Sequence, residues 1–214
     1  MTLQVNELFH SIQGESLWTG LPCSFVRMTG CNLRCRYCDT TYAYESGKPM
    51  RIRQIVQALA RFHCRRVTIT GGEPLIQHRT PELIQHLLSQ DYRVSLETNG
   101  SQDIQYVDKG CMIVMDLKCP SSGMRRHNRM ENLRCLKPSD QLKFVIADRK
   151  DYLYAREIVK LEGGHLSGDN ILFSPAFGTM PPHRLAAWIL DDDIEVRLQI
   201  QLHRILWPDR DRGV

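Results

Sequence analysis

Short β-branched runs alternate along this chain with segments of helical period, and that alternation narrows its folds more than any other feature. Six runs are Ser24–Met28, Val67–Thr70, Arg93–Glu97, Met112–Leu117, Leu142–Ala147 and Ile171–Ser174. Their nearly continuous apolar character predicts strands buried on both faces. A seventh, Val196–Leu202, sets Val196, Leu198, Ile200 and Leu202 against Arg197, Gln199 and Gln201, the pattern of a half-exposed strand. Between the runs, Ile52, Ile55, Val56, Leu59 and Phe62 recur on one helical face. Thr80 reads as a cap with Pro81 at the first helical position, opening a helix that turns Leu83, Ile84, Leu87 and Leu88 inward. Asp151 starts a third helix, stopped by Gly163-Gly164, and Pro181-Pro182 open a fourth carrying Leu185, Trp188 and Ile189. The third-to-fourth and fourth-to-fifth strand connections show no helical period. The order predicts a parallel α/β sheet. At 214 residues the chain is shorter than the ~250 typical of a closed eight-unit barrel, so an incomplete, open parallel (β/α) barrel is expected. With no repeat, linker or low-complexity tract, residues 1–214 read as one domain.

The chemistry is concentrated between Gly30 and Thr41, where Cys31, Cys35 and Cys38 are spaced C-x3-C-x2-C. Three thiolates in one loop suggest iron–sulfur or zinc. A structural zinc needs four protein ligands, and an ordinary 4Fe–4S carrier four cysteines, yet no fourth follows at short range. Two readings stay open: a four-iron cluster with one exposed iron, or zinc with a distant fourth ligand from Cys23, Cys64 or His10. Cys35-Arg36-Tyr37-Cys38 also has dithiol spacing, but a dithiol has no use for Cys31. Cys23, Cys64, Cys111, Cys119 and Cys135 show no ligand spacing and read as packing residues of a reducing compartment.

Other distinctive stretches also fall just after predicted strands: Gly71-Gly72-Glu73-Pro74, Thr98-Asn99-Gly100, Lys118-Cys119-Pro120-Ser121 and Pro175-Ala176-Phe177-Gly178. In parallel α/β folds that edge is where sites are built. The glycines of Gly71-Gly72 serve either a plain strand-to-helix turn or a close backbone approach to a ligand. Asp116 and Lys118 share one strand face, as an ion pair or as ligand contacts. Glu97 ends a strand as a solvated carboxylate or a hydroxyl acceptor. Arg27 lies in an otherwise apolar strand, where an unpaired charge is costly, so it requires an anionic partner. The run Arg125-Arg126-His127-Asn128-Arg129 reads as a solvated face.

C-x3-C-x2-C with Tyr37 before its last cysteine resembles the signature of radical S-adenosylmethionine (SAM) enzymes. The segment Phe9-His10-Ser11-Ile12-Gln13-Gly14-Glu15-Ser16, Phe25-Val26-Arg27, Cys38-Asp39-Thr40, Gln201-Leu202-His203-Arg204-Ile205-Leu206-Trp207 and Arg212-Gly213-Val214 are similar to the 7-carboxy-7-deazaguanine synthase family, over about Val5 to Val214. The resemblance implies a 4Fe–4S cluster on Cys31, Cys35 and Cys38, with the radical generated at cluster and SAM rather than by a catalytic side chain. It implies SAM contacts at Tyr37, Cys38, Asp39, Gly72, Glu97, Asp116, Lys118 and Ser174, and Mg2+ on Thr40. It implies a pterin substrate held by Ile12, Gln13, Gly14, Glu15, Arg27, Thr70 and the terminal carboxylate of Val214. His203 is read as a structural group near the site. The implied reaction turns 6-carboxy-5,6,7,8-tetrahydropterin into 7-carboxy-7-deazaguanine with loss of ammonia. The implied partners are a flavodoxin-like or ferredoxin-like reductant and a second copy of the chain.

A formal charge of +4 is too mild to argue for nucleic acid. No window approaches the ~20 apolar residues of a membrane span, and the start lacks a signal-peptide pattern, so a cytoplasmic protein is expected. A glycyl-radical-enzyme activase shares the cysteine motif, and a zinc-stabilised binding module is the non-enzymatic alternative.

Overall fold

The computed structural model describes residues 2–162 and 164–214. Nine strands form one open sheet in the order β3-β1-β2-β4-β5-β6-β7-β8-β9. Seven run parallel: β2 (Pro22–Met28), β4 (Arg66–Gly71), β5 (Arg93–Thr98), β6 (Met112–Asp116), β7 (Gln141–Ile146), β8 (Ile171–Pro175) and β9 (Arg197–Leu198). At the other edge β1 (Leu3–Ile12) pairs antiparallel with β2 and with β3 (Lys48–Met50). The sequence pattern hides β1, because a register shift between Val5 and Glu7 breaks its alternation.

The central strands β2 and β4–β8 are largely buried on both faces, the helix-covered face apolar and the other mixed. Val26, Ile69, Leu96, Met115, Leu142, Phe144 and Phe173 belong to the main core. The residues alternating with them include Arg27, Thr68, Thr70, Ser95, Glu97, Asp116, Lys143 and Ser174, and these turn toward the concave side. Helices cover the convex side. α1 (Ile52–Ala60) buries Ile52, Ile55, Val56 and Leu59, and α2 (Thr80–Leu88) buries Leu83, Ile84 and Leu87. α3 (Arg149–Glu162) follows β7, and α4 (Pro182–Asp191) buries Leu185 and Ile189. Between β5 and β6 there is no helix, and between β6 and β7 only 3-10 turns, as their missing period foretold.

Three local expectations are corrected. Arg79 holds the cap position of α2; Thr80 is inside the helix, fully buried, and its hydroxyl donates to the Pro74 carbonyl at 2.6 Å. Asp151 lies within the first turn of α3, its carboxylate accepting from the Ser121 and Ala147 N–H groups. Of the stop at Gly163-Gly164, Gly163 lies outside the described residues. The seventh strand shrinks to Arg197–Leu198, and the chain re-enters a short helix, α5 (Leu202–Leu206). The expected alternation holds at Val196, packed on the core, and exposed Arg197, then inverts: Gln199 is buried, while Leu198 and Ile200 are exposed. Gln199 N–H donates to the Phe173 carbonyl and its side chain to Ile200, which draws the polar residue inward.

One carboxylate ties the strand-end loops together. Glu73 is fully buried, and its oxygens accept from Leu75 N–H (2.9 Å), Thr98 Oγ1 (2.9 Å) and Asn99 N–H (2.6 Å). Its own N–H donates to the Gly30 carbonyl at 2.8 Å, so three loops meet at one residue. Burial pushes the carboxyl above its ordinary range, and the three donors oppose that. Replacing Glu73 by Ala leaves buried donors unpaired and is expected to cost about 3 kcal/mol of stability, read as a lower urea midpoint at unchanged slope.

Candidate active site

A cleft of about 750 Å³ opens along the concave side at the strand ends. Every cofactor, metal and substrate position expected from the sequence lines it, from Ile12 to Val214.

Cys31, Cys35 and Cys38 sit half-buried on the loop after β2. The loop is braced by Gly30 N–H to the Ala43 carbonyl, by Arg34 Nη1 to the Cys31 and Leu33 carbonyls, and by Arg36 N–H to the Ser122 carbonyl. Leu33 anchors it from within at 2% exposure. Burial pushes the Cys31 and Cys35 thiols up, whereas the Lys118 ammonium favours both thiolates. Leu33 N–H and the Asn99 amide lie 3.4 Å and 3.8 Å from Cys31 Sγ, donors suited to a ligating sulfur. Among the described residues no three His, Cys, Asp or Glu side chains gather as ligands of a single ion. Three thiols sharing one loop beside an open cleft fit a cluster with a vacant corner.

Beside the thiols, a Cβ at Gly72 would run into the Gly30 carbonyl and the Cys31 side chain. Glycine is therefore required by close packing on the cysteine loop, and Gly71, at φ +150°, abuts the Met28 backbone in the same way. Asp116 Oδ2 accepts from Lys118 Nζ at 2.8 Å, while Oδ1 is buried without a partner. Despite burial, Asp116 holds Lys118 above its ordinary range. The Tyr37 hydroxyl donates to the Val145 carbonyl, and Ser174 is buried at the end of β8.

Deeper in the cleft, the Gln13 amide donates to Thr68 Oγ1 (3.1 Å) and Glu97 Oε1 (3.3 Å), and the Thr70 hydroxyl to Glu97 Oε2 (2.7 Å). Glu97 is thus no solvated carboxylate; burial first, then Glu15, push it upward. These bonds join Glu97, expected on the cofactor, to Gln13 and Thr70, expected on the substrate. Arg27 has its anionic partner within the protein: Nε donates to Glu7 Oε2 at 3.1 Å, and the guanidinium lies 5.4 Å and 5.7 Å from the Phe9 and Tyr42 rings.

Thr40 precedes a 3-10 turn but makes no side-chain cap. Its hydroxyl donates to Asp39 Oδ1 at 2.8 Å, leaving lone pairs for a hard cation, the donor type Mg2+ prefers. Burial works against the Asp39 carboxylate, yet hydrogen bonds from Gln201 and Thr40 hold it below the usual range.

The C-terminal arm lies over this side of the cleft. Leu202 N–H donates to the Gly14 carbonyl, and His203 packs so closely on Gly14 that a Cβ there would strike its ring. Gln201 donates to Asp39 Oδ2, Arg204 Nη1 to Asp211 Oδ1, and the Arg212 guanidinium lies 4.4 Å from the Tyr42 ring. Burial pushes the His203 imidazole downward. Lys143, Gln201 and Arg204 also line the cleft and were not singled out in the sequence. For Lys143 the signal was present: like Arg27, it interrupts an apolar strand.

An open, mostly parallel barrel whose first parallel strand leads into three clustered thiols beside a polar cleft is the construction of a radical SAM enzyme. Residues 25–122 match the family model of the Radical SAM superfamily. The chain is 41% identical to the 7-carboxy-7-deazaguanine synthase of Koribacter versatilis, over 99% of this chain and 100% of that one. It is 42% identical to that of Chlorobaculum tepidum, over 99% and 97% of the two chains. QueE from Escherichia coli shares the fold, with a TM-score of 0.76 over 95% of each chain at 21% identity. The chain belongs to the 7-carboxy-7-deazaguanine synthase family, and its cofactors are a 4Fe–4S cluster and SAM.

Substituting Ala for any one of Cys31, Cys35 or Cys38 is expected to bring iron and acid-labile sulfide per chain close to background after anaerobic reconstitution. Gly72→Ala, which displaces the cysteine loop, is expected to weaken SAM binding at least ~10-fold by equilibrium dialysis.

Proposed function

We propose that this cleft binds 6-carboxy-5,6,7,8-tetrahydropterin and yields 7-carboxy-7-deazaguanine with loss of ammonia, a step toward 7-deazapurine nucleosides such as queuosine. The observation that carries the reading is the convergence of residues from β1 to the final residue on one cleft. When bound and reduced, the cluster and SAM supply a 5′-deoxyadenosyl radical that takes hydrogen from C6 of the pterin. The chain's own residues bind, orient and exclude water.

Cys31, Cys35 and Cys38 would hold the cluster, leaving it open toward the cleft for SAM. Tyr37, Cys38, Asp39, Gly72, Asp116, Lys118 and Ser174 form the SAM side, with Glu97 at the boundary with the pterin. Ile12, Gln13, Gly14, Glu15 and Thr70 hold the ring, and Arg27, braced by Glu7, receives the substrate carboxylate. Thr40 supplies one oxygen to Mg2+, and Val214 lines the substrate side of the cleft. The arm pinned across this side favours a small molecule over the protein substrate of an activase.

We infer also a single domain over residues 1–214 and an external flavodoxin-like or ferredoxin-like electron donor, with no role for nucleic acid. Exposed Leu198, Ile200, Ile205 and Leu206 offer an apolar face that a homodimer would cover. Among the described residues no helix is long and apolar enough to cross a membrane, which accords with cytoplasmic residence.

The test is anaerobic reconstitution, then incubation with SAM, Mg2+, reductant and the carboxy-pterin, with mass spectrometry for the deazaguanine. Product is expected only when all are present, and intact pterin would end the reading. Thr40→Val, which removes one oxygen ligand at nearly equal volume, is expected to lower kcat ~10-fold at limiting Mg2+ and less at high Mg2+.

A further inference from the structure

Lys143 is absent from every role assigned so far. It stands on the concave face of β7 between Leu142 and Phe144, both fully buried on the other side. Its side chain is 11% exposed and lines the cleft. A lysine so placed is costly without a partner. The partner is Glu15, from the loop between β1 and β2, whose Oε2 accepts from Lys143 Nζ at 2.6 Å. Glu15 N–H donates to Gln13 Oε1, which holds the backbone of that loop. The other carboxylate oxygen, Oε1, is buried and has no partner.

We propose that Lys143 is a positioning residue for substrate recognition: it holds Glu15 through one lone pair of Oε2 and neutralises the carboxylates around it, leaving Oε1 and the second lone pair of Oε2 to accept the two N–H groups on the edge of a 2-amino-4-oxopyrimidine ring. The proposal rests on the reading that Glu15 faces the pterin. A ring N–H and an exocyclic 2-amino group form a two-donor edge that a carboxylate matches; a 2-oxo group in place of the amine sets acceptor against acceptor. Lys143 thus selects amino over oxo at that carbon.

The surrounding charges explain why a cation is needed. Glu15 and Glu97 share the cavity, and Lys143 acts on both as well as on Asp116. Arg27 from β2, Lys118 from the loop after β6, Asp39 from the cysteine loop, and His203 and Arg204 from the C-terminal arm are among the other charged and titratable groups of the lining. Two neighbouring buried carboxylates resist ionising together unless a cation offsets them. Without Lys143 neither that offset nor the bond that aims the Glu15 carboxylate remains.

The experiment is a fluorescence titration of 6-carboxypterin and 6-carboxylumazine, the 2-oxo analogue, into reconstituted, SAM-bound, unreduced enzyme. Wild type is expected to favour the pterin. Lys143→Met is expected to bind it about 30-fold more weakly and to lose the amino-over-oxo preference. Lys143→Arg is expected to restore most of the affinity, and SAM binding to stay unchanged in both. If Glu15→Gln weakens pterin binding while Lys143→Met binds within ~2-fold of wild type, the role of Lys143 falls and the substrate reading stands. If Glu15→Gln binds as wild type does, the substrate reading of Glu15 itself is wrong. Equal wild-type affinity for the two analogues overturns the proposal even should Lys143→Met fail to fold.

Discussion

The active edge of this molecule depends on one buried carboxylate. Glu73 binds its own loop through Leu75, the loop after β5 through Thr98 and Asn99, and the cysteine loop through the Gly30 carbonyl. Loops at the ends of parallel strands have no ladder partners of their own, so their relative positions must come from such bonds. The Asn99 side chain then extends the tie to Asn32 and the Cys31 sulfur. Removal of Cβ at Gly71 and Gly72 lets the backbones approach closely enough for these bonds to form.

A second constraint is the division of each strand between two environments. One face meets helices and is apolar; the other meets the cleft and carries Arg27, Thr70, Glu97, Asp116 and Lys143. The charges are desolvated, so they are arranged in pairs: Arg27 with Glu7, Lys118 with Asp116, Lys143 with Glu15. Each buried pair costs desolvation that only good geometry offsets. Among the buried atoms left without a partner on cleft-lining residues, Asp116 Oδ1 and Glu15 Oε1 are acceptors that a ligand donor would satisfy.

The arm after β9 is held on the cleft by the Leu202 N–H bond to the Gly14 carbonyl and by side-chain bonds. Two strand residues, a short helix and the pairs Gln201–Asp39 and Arg204–Asp211 replace the long strand that the alternation implied. Local pattern misled there because β9 is an edge strand whose outer neighbours are exposed, so tertiary bonds to Gln199 outweighed periodicity.

What the sequence determined on its own was whatever depends on near neighbours along the chain. The cysteine spacing, the helical faces of α1, α2 and α4, the parallel strands and the loops that follow them were all legible, since each is a pattern within a dozen residues. The tertiary structure alone decided the rest. The antiparallel β1 was masked by its own register shift, and Glu73 looked like part of a turn until Thr98 and Asn99 came beside it. Lys143 and Glu15, 128 positions apart, became a pair only because the sheet brings β7 across the cleft from the β1–β2 loop, although β4, β5 and β6 stand between them. Contacts at such distances are chosen by the order and curvature of the whole sheet, and no local period encodes that.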